Sequence, residues 1–431
     1  MALNLETRIV TRRSDAAQRV DADIVVLGAG IAGVSAALEA ARLGRRVALI
    51  DGAPTLGGQA VGAIIGTFCG FYSNGPNPYQ VTHGIADDIL RDLGKAGALN
   101  HIHGRRNTTI VQYNETTLAR WIEEAVRKAQ IQVLLGAILL DVRRDGGRIV
   151  GLNLATRYGE VMIEGQGFVD ASGDAALTFA AGFACREPAN AIFGTQMIVL
   201  EGIDEAALTL LDRSELQRRL TAKGDAYGLK RHDGFLFAPP GQGIALVNMT
   251  HIETPLDAVA ASRQQLEARA EADRLLALLR AEYPAALGSA RIRSYGLPGI
   301  RQTRWIVGQH HLVADEVRQG VHFADAIGRC SWPIELHQRP DDVHWEVFGD
   351  DHMHWIPLGM LLPVEADNLV AAGRCADGDP AALASVRVMG PCIAMGAAAA
   401  HALDLAGAGS VKQIDIAALQ VRLCDNLERT D

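Results

Sequence analysis

No uninterrupted apolar run in this chain reaches the ~18 residues that a bilayer crossing needs, so no membrane span is expected. The six cysteines (Cys69, Cys185, Cys330, Cys375, Cys392 and Cys424) include no CxxC pair. That sets aside a disulfide framework and a zinc site, and it fits a reducing, cytoplasmic setting. No basic block or tail occurs, and the formal net charge is −9, which argues against nucleic acid or an anionic membrane as partner. There is no internal repeat and no low-complexity tract. Thr11-Arg12-Arg13-Ser14-Asp15 has the outline of a twin-arginine signal, but no apolar signal core follows it, so export is not expected. Aromatic residues are scarce, and most tryptophans fall between about 190 and 350, where the chain changes character.

What the chain does have is apolar mass and glycine. At 431 residues and 48% hydrophobic content it can fill a large core in two or three domains. Its 45 glycines cluster in short groups between apolar runs, the pattern of tight turns and close backbone contacts. Residues 1–20 are polar and read as an arm. Asp23 to Leu27 is an apolar run of strand length, Val34 to Leu43 has helical spacing ending at Gly44, and Arg46 to Ile50 is a second buried strand. Residues 118–130 read as an amphipathic helix leading into the strand Val133 to Leu135. Residues 148–170 read as an antiparallel meander, and a long helix spans Asp257 to Glu282, stopping before Pro284. From Asn368 the chain returns to strand, glycine turn and alanine-rich helix, ending near Ala406.

The turn Gly28-Ala29-Gly30-Ile31-Ala32-Gly33 sits between the first strand and helix, and Asp51 ends the second strand, 21 residues after Gly30. Alone, such a glycine motif is weak evidence. In this βαβ setting each part has a physical task. Gly28 permits the tight turn, Gly30 lets backbone approach a pyrophosphate, and Gly33 lets the helix pack on the sheet. The helix N-terminus offers free N–H groups to phosphate, and Asp51 can accept from ribose hydroxyls. The motif does not by itself separate FAD from NAD.

Further segments carry a resemblance. They are Leu56-Gly57-Gly58-Gln59-Ala60, Val169 to Ala175, Gly299-Ile300-Arg301-Gln302-Thr303-Arg304, and Asn368 to Ala400 with Ser385-Val386-Arg387-Val388-Met389 inside it. On these residues the chain resembles the FAD-dependent oxidoreductase family, related to succinate dehydrogenase/fumarate reductase flavoproteins and to glutathione reductase-type FAD domains. The resemblance covers residues 21–75, 105–190 and 240–406. It implies FAD as cofactor, with Gly58 and Gln59 beside the flavin or pyrophosphate. Gly173-Asp174 would form a second contact segment and Gly373-Arg374 a third. The helix start at Arg387 and Val388 would aim its N–H groups at the flavin. For Asp174 a helix N-cap is an equally good reading.

Three neighbourhoods are candidates for the substrate side. Cys69 and Tyr72 follow the glycine pair, as a thiol and a proton donor; a buried structural cysteine is the commoner fate. No CxxxxC pair accompanies Cys69, so dithiol chemistry is not expected. Arg301 and Arg304 are adjacent if helical, and either could clamp a carboxylate or simply pair with an acid. His352 and His354 share a face if extended, and His354 could take a proton; no further ligands suggest a metal.

The expected fold class is α/β. It is a Rossmann-type, glutathione reductase-like FAD domain (residues 21–190 and 355–425) with an inserted α+β substrate/cap domain (191–354). The expected activity is that of an FAD-dependent dehydrogenase or oxidase moving a hydride from a small organic substrate to flavin N5. Oxygen or an electron carrier would be the acceptor. A carboxylate-bearing substrate and a homo-oligomer are both compatible with the sequence. No second dinucleotide fingerprint argues for an NAD(P)H domain. The alternatives are a flavin-dependent monooxygenase or halogenase and, further off, an RNA-modifying or non-catalytic flavoprotein subunit.

Overall fold

Strand β1 (Gln18–Leu27), helix α1 (Ile31–Arg42) and strand β2 (Val47–Asp51) form the βαβ unit read from the sequence. The computed structural model describes residues 7–11, 17–104, 107–239 and 241–430; the pair Arg12-Arg13 lies outside them. Strand β1 begins at Gln18, inside the span expected to be an arm. It pairs in parallel with β2 on one side and with Gly159–Asp170 on the other. Gln132–Leu135 and Leu369–Ala371 extend the parallel sheet at either flank. Strands such as Val-Ala-Leu-Ile at 47–50 are buried on both faces, which is why they read as unbroken apolar runs. Ile138–Asp145, Arg148–Thr156 and Gly159–Asp170 form the antiparallel meander. The architecture is a mixed α/β fold built on this largely parallel sheet.

Helix Met389–Ala406 packs along α1. Small residues let the two backbones meet: a Cβ on Gly396 would collide with the Ala32 carbonyl, and Ser35 Oγ donates to Ile393 O at 2.7 Å. Met389–Ala406 is apolar and long enough to cross a membrane, yet 78% of it is buried inside the protein, so here it serves as a core helix.

A second sheet is antiparallel, in the order Phe235–Phe237, Ile244–Asn248, Ile198–Glu201, Arg291–Tyr295. Its alternation is two-sided. Ile198, Leu200, Ala245 and Val247 pack on the long helix Ala258–Glu282, whereas Met197, Val199 and Leu246 cluster with Ile64 on the opposite face. The long helix starts where the sequence expects it, with the Asp257 side chain accepting from Ala260 N at 2.8 Å. Residues 305–356 behave differently. Trp305, Leu312, Val317, Ile327, Ile334 and Ile356 join the core of the parallel sheet. The separately cored region is therefore narrower than residues 191–354.

Candidate active site

The glycine turn is built by close backbone approach. Gly28 has φ +104°, and a Cβ there would strike the Ala171 carbonyl; a Cβ on Gly33 would strike the Gly28 carbonyl. Gly30 differs. No heavy atom lies within 4 Å of its Cβ position, although Gly58 approaches so closely that its own Cβ would stand 2.7 Å from Gly30 Cα. The space in front of the α1 N-terminus is thus kept open on the side where a diphosphate would lie. Asp51 borders it, accepting from Ala29 N at 2.6 Å and Ala53 N at 2.7 Å, with lone pairs left for a ribose.

The second contact segment holds itself together through Asp170. This fully buried carboxylate accepts from Ser172 Oγ at 2.6 Å and from Thr178 N at 2.9 Å. The short helix Ala176–Ala180 has Ala175 at its N-cap, so Asp174 does not cap it; Asp174 instead accepts from the Thr303 hydroxyl. Gly173 lies against the Arg374 guanidinium, which donates to Ile300 O.

A cavity of ≈290 Å³ opens between this layer and the second sheet. Gln59, Arg374, Arg387, Val388 and Met389 line it. Met197, Phe235, Phe237 and Asn248 come from the second sheet, and Gly299, Ile300, Arg301, Trp332, Glu335 and Trp345 complete it. The alternation Phe235-Leu236-Phe237 places both phenyl rings toward the cavity and Leu236 toward the second core. A second, smaller concavity of ≈230 Å³, lined by residues such as Asn100, Gln112 and Gln242, has Glu115 as its one charged lining residue.

Arg301 and Arg387 are the cavity's distinctive groups. Both are half-buried, and both direct hydrogen bonds to backbone carbonyls: Arg301 Nη1 to Phe193 O at 2.8 Å, and Arg387 Nη2 to Glu335 O at 3.4 Å. Arg387 Nε has no partner among the described residues. Burial and neighbouring cations push both guanidinium pKa values down, that of Arg387 to about 10. Both still carry charge at neutral pH. Two half-buried cations lining one cavity make a site for an anionic group.

Arg301 and Arg304 are not in a helix and diverge: Arg304 stacks over Phe179 at 3.8 Å and pairs with Glu187 at 3.4 Å. Cys69 lines the cavity, but burial raises its thiol pKa, and a protonated thiol is a poor nucleophile. Tyr72 is outside the lining, its ring edge-on to His101 at 5.7 Å, and burial raises its phenol too. His354 is likewise outside it, 1% exposed. Its Nε2 lies 3.0 Å from Ser385 Oγ, which donates to Trp332 O at 2.6 Å, and its Nδ1 lies 3.1 Å from His352 Nε2. It braces the segment carrying Trp332 and does not face the cavity. Among the described residues no His/Cys/Asp/Glu cluster could hold a metal ion. Glu335, Trp332, Trp345, Phe235 and Phe237 were not singled out in the sequence. The alternation Glu335-Leu336-His337 was the available signal, identical in form to the one at His352 and His354.

The buried histidines give a pH prediction. Burial lowers His251 to about 2 and His354 to about 3. Both lie below the unfolded value of ~6.5, so the unfolded chain binds protons in that window that the native protein does not. Stability is therefore complete above pH ~6.5 and falls below it, each histidine contributing up to ~1.4 kcal/mol per pH unit. Melting temperature should drop between pH 7 and pH 4.5. His354→Gln should flatten part of that slope, and a slope identical to wild type would contradict this account.

The open pyrophosphate cradle, the bordering Asp51 and the cavity-lining Gln59, Arg374 and Arg387 fit FAD, and with the Rossmann-type sheet they define a flavoprotein. The chain belongs to the FAD-dependent oxidoreductase family, whose model matches residues 23–423. Its cofactor is FAD, and it is an enzyme of that family. Among solved structures it is similar to a geranylgeranyl bacteriochlorophyll reductase-like protein from Thermoplasma acidophilum (14% identity, 95% of this chain and 81% of that one, TM-score 0.47). It is also similar to a triple mutant of the flavin-dependent brominase Bmp2 (15% identity, 94% and 84%, TM-score 0.47). A third is p-nitrophenol 4-monooxygenase PnpA from Pseudomonas putida DLL-E4 (10% identity, 95% and 81%, TM-score 0.46). No curated protein matches the sequence.

Proposed function

We propose that this protein is an FAD-dependent dehydrogenase or oxidase that removes a hydride from a small, carboxylate-bearing organic substrate. One observation carries the reading: the guanidinium groups of Arg301 and Arg387 share one aromatic-walled cavity with the FAD-side residues Gln59 and Arg374. FAD bound there supplies a two-electron acceptor. Arg301 binds and orients the substrate's carboxylate, and the guanidinium geometry fixes its plane. Phe235, Phe237, Trp332 and Trp345 surround its apolar body and exclude water. The separately cored part of residues 191–354 acts as the cap over the FAD domain of residues 21–190 and 355–425, and the setting is cytoplasmic. Electrons leave to oxygen or to a separate carrier. The lone dinucleotide fingerprint supports a substrate, not a nicotinamide, as the reductant.

Anaerobic mixing of the yellow holoprotein with a panel of small carboxylic acids tests this. At least one acid should bleach the flavin absorbance, and NADH and NADPH should bleach it slowly or not at all. Rapid bleaching by a nicotinamide, with none by the acids, would overturn the reading in favour of a monooxygenase or halogenase.

A further inference from the structure

We infer that Glu335 exchanges a proton with the ligand in this cavity, and that His337 and His251 form the buried chain that positions that proton. The inference rests on the cavity being the substrate site. Glu335 lies in the strand Ile334–Leu336, and His337 follows two residues on, on the same face. Glu335 Oε1 is 3.1 Å from His337 Nε2, His337 Nδ1 is 3.0 Å from His251 Nε2, and His251 Nδ1 is 2.8 Å from Pro340 O. Both imidazoles are fully buried, whereas the Glu335 side chain keeps 19% exposure and lines the cavity.

The far end of the chain fixes its direction. A carbonyl only accepts, so His251 Nδ1 carries the hydrogen. A neutral His251 then presents a lone pair at Nε2, and His337 Nδ1 must donate to it. A neutral His337 in turn presents a lone pair at Nε2 toward Glu335. One proton between Glu335 and His337 turns the last contact into a hydrogen bond; without it, two acceptors face each other.

The surroundings favour neutral imidazoles. Arg231, Arg301 and Arg387 are the cations facing the pair, with Asp233 bonded to Arg231, and Phe193 stacks on His251 at 5.5 Å. Burial and these cations lower both imidazole pKa values. The proton therefore reaches the cavity on the Glu335 oxygen. The step is a proton transfer. An O–H or N–H bond of the ligand breaks, an O–H bond forms on the Glu335 carboxylate, and that O–H is received by His337 Nε2; the reverse step returns the proton. Glu335 touches the ligand, and His337 and His251 are positioning residues.

The test uses the FAD-loaded protein and needs no substrate for its first arm. Infrared difference spectra between acid and alkaline pH should show a protonated carboxyl band that shifts in D₂O and is missing from Glu335→Gln. Nitrogen-15 spectra should place hydrogen on Nδ1 of both His251 and His337. A Glu335 carboxylate that never protonates while the protein is folded, or hydrogen on His337 Nε2 with Nδ1 bare, would overturn the chain. The second arm uses an acid found by flavin bleaching. Glu335→Gln should keep its FAD and melting temperature but reduce flavin ~10²–10⁴-fold more slowly, with the wild-type pH dependence gone. An unchanged rate and pH profile would remove Glu335 from the reaction. If no acid bleaches the flavin, the proposed function fails, and the spectra still decide the proton chain.

Discussion

Gly30→Val yields a folded protein that is colourless. The backbone at Gly30 has φ −70° and ψ −179°, extended geometry open to any residue. Its Cβ direction meets no heavy atom within 4 Å, so the valine side chain enters neither core nor sheet. It enters the space before the α1 N-terminus, where the diphosphate of FAD must approach the backbone. The variant should keep its circular dichroism and lose its flavin absorbance. Gly33→Ala should behave differently, because its added methyl would collide with the Gly28 carbonyl and spread the turn itself. That variant should lose melting temperature together with flavin. Asp51→Ala should retain FAD weakly. A hydrogen bond to a charged group contributes about 1.5–3 kcal/mol, or roughly 10- to 200-fold in affinity. Wild-type flavin content in Gly30→Val would refute this cradle as the cofactor site.

The parts of the fold that were legible in the sequence are those whose cause is local. A strand buried on both faces, a glycine turn and an acid at the end of the next strand are each written within a few residues, and the βαβ unit formed within three residues of its expected bounds, apart from the early start of β1. The assembly of Gln59, Arg374 and Arg387 around one cavity followed from recognising the family's segments, since residues some 300 apart share no local pattern. The substrate side was harder for a physical reason. A spacing of two shows that side chains share a face of a strand and does not show which face. The spacing at His352 and His354 is identical in form to that at Glu335 and His337. The first pair faces the helix Pro380–Val386 through Ser385, whereas of the second Glu335 lines the cavity and His337 lies buried behind it. Arg301 and Arg304 would be neighbours only on a helix, and the irregular chain there sends one to the cavity and one to Glu187. His251 is 86 residues from His337, a pairing that only the tertiary fold creates.

Arg301→Met separates binding from stability, with opposite signs expected for the two. In the protein without substrate, Arg301 is a half-buried cation whose hydrogen bond runs to a neutral carbonyl, and Arg231 and Arg387 oppose its charge. Glu335 and Asp233 offset this only in part. The desolvation penalty of an under-compensated cation can exceed what a bond to a neutral carbonyl returns, and an apolar chain of similar length carries no such penalty. The melting temperature of Arg301→Met should therefore equal or exceed that of wild type, and its flavin content should be unchanged. Ligand binding should move the other way. A carboxylate brought into the cavity exchanges water for charge-assisted hydrogen bonds, and losing the stronger partner should weaken binding by about 1.5–3 kcal/mol, or roughly 10- to 200-fold. Benzoate is a suitable probe because it joins an anionic group to an aromatic ring, matching the guanidinium and the ring-lined wall. Titrated into the holoprotein, it should perturb the wild-type flavin spectrum at concentrations well below those needed for the variant. Equal benzoate affinity in the two proteins would remove Arg301 from substrate binding. An unfolded variant would instead mean that the bond to Phe193 O is what the arginine is there to make.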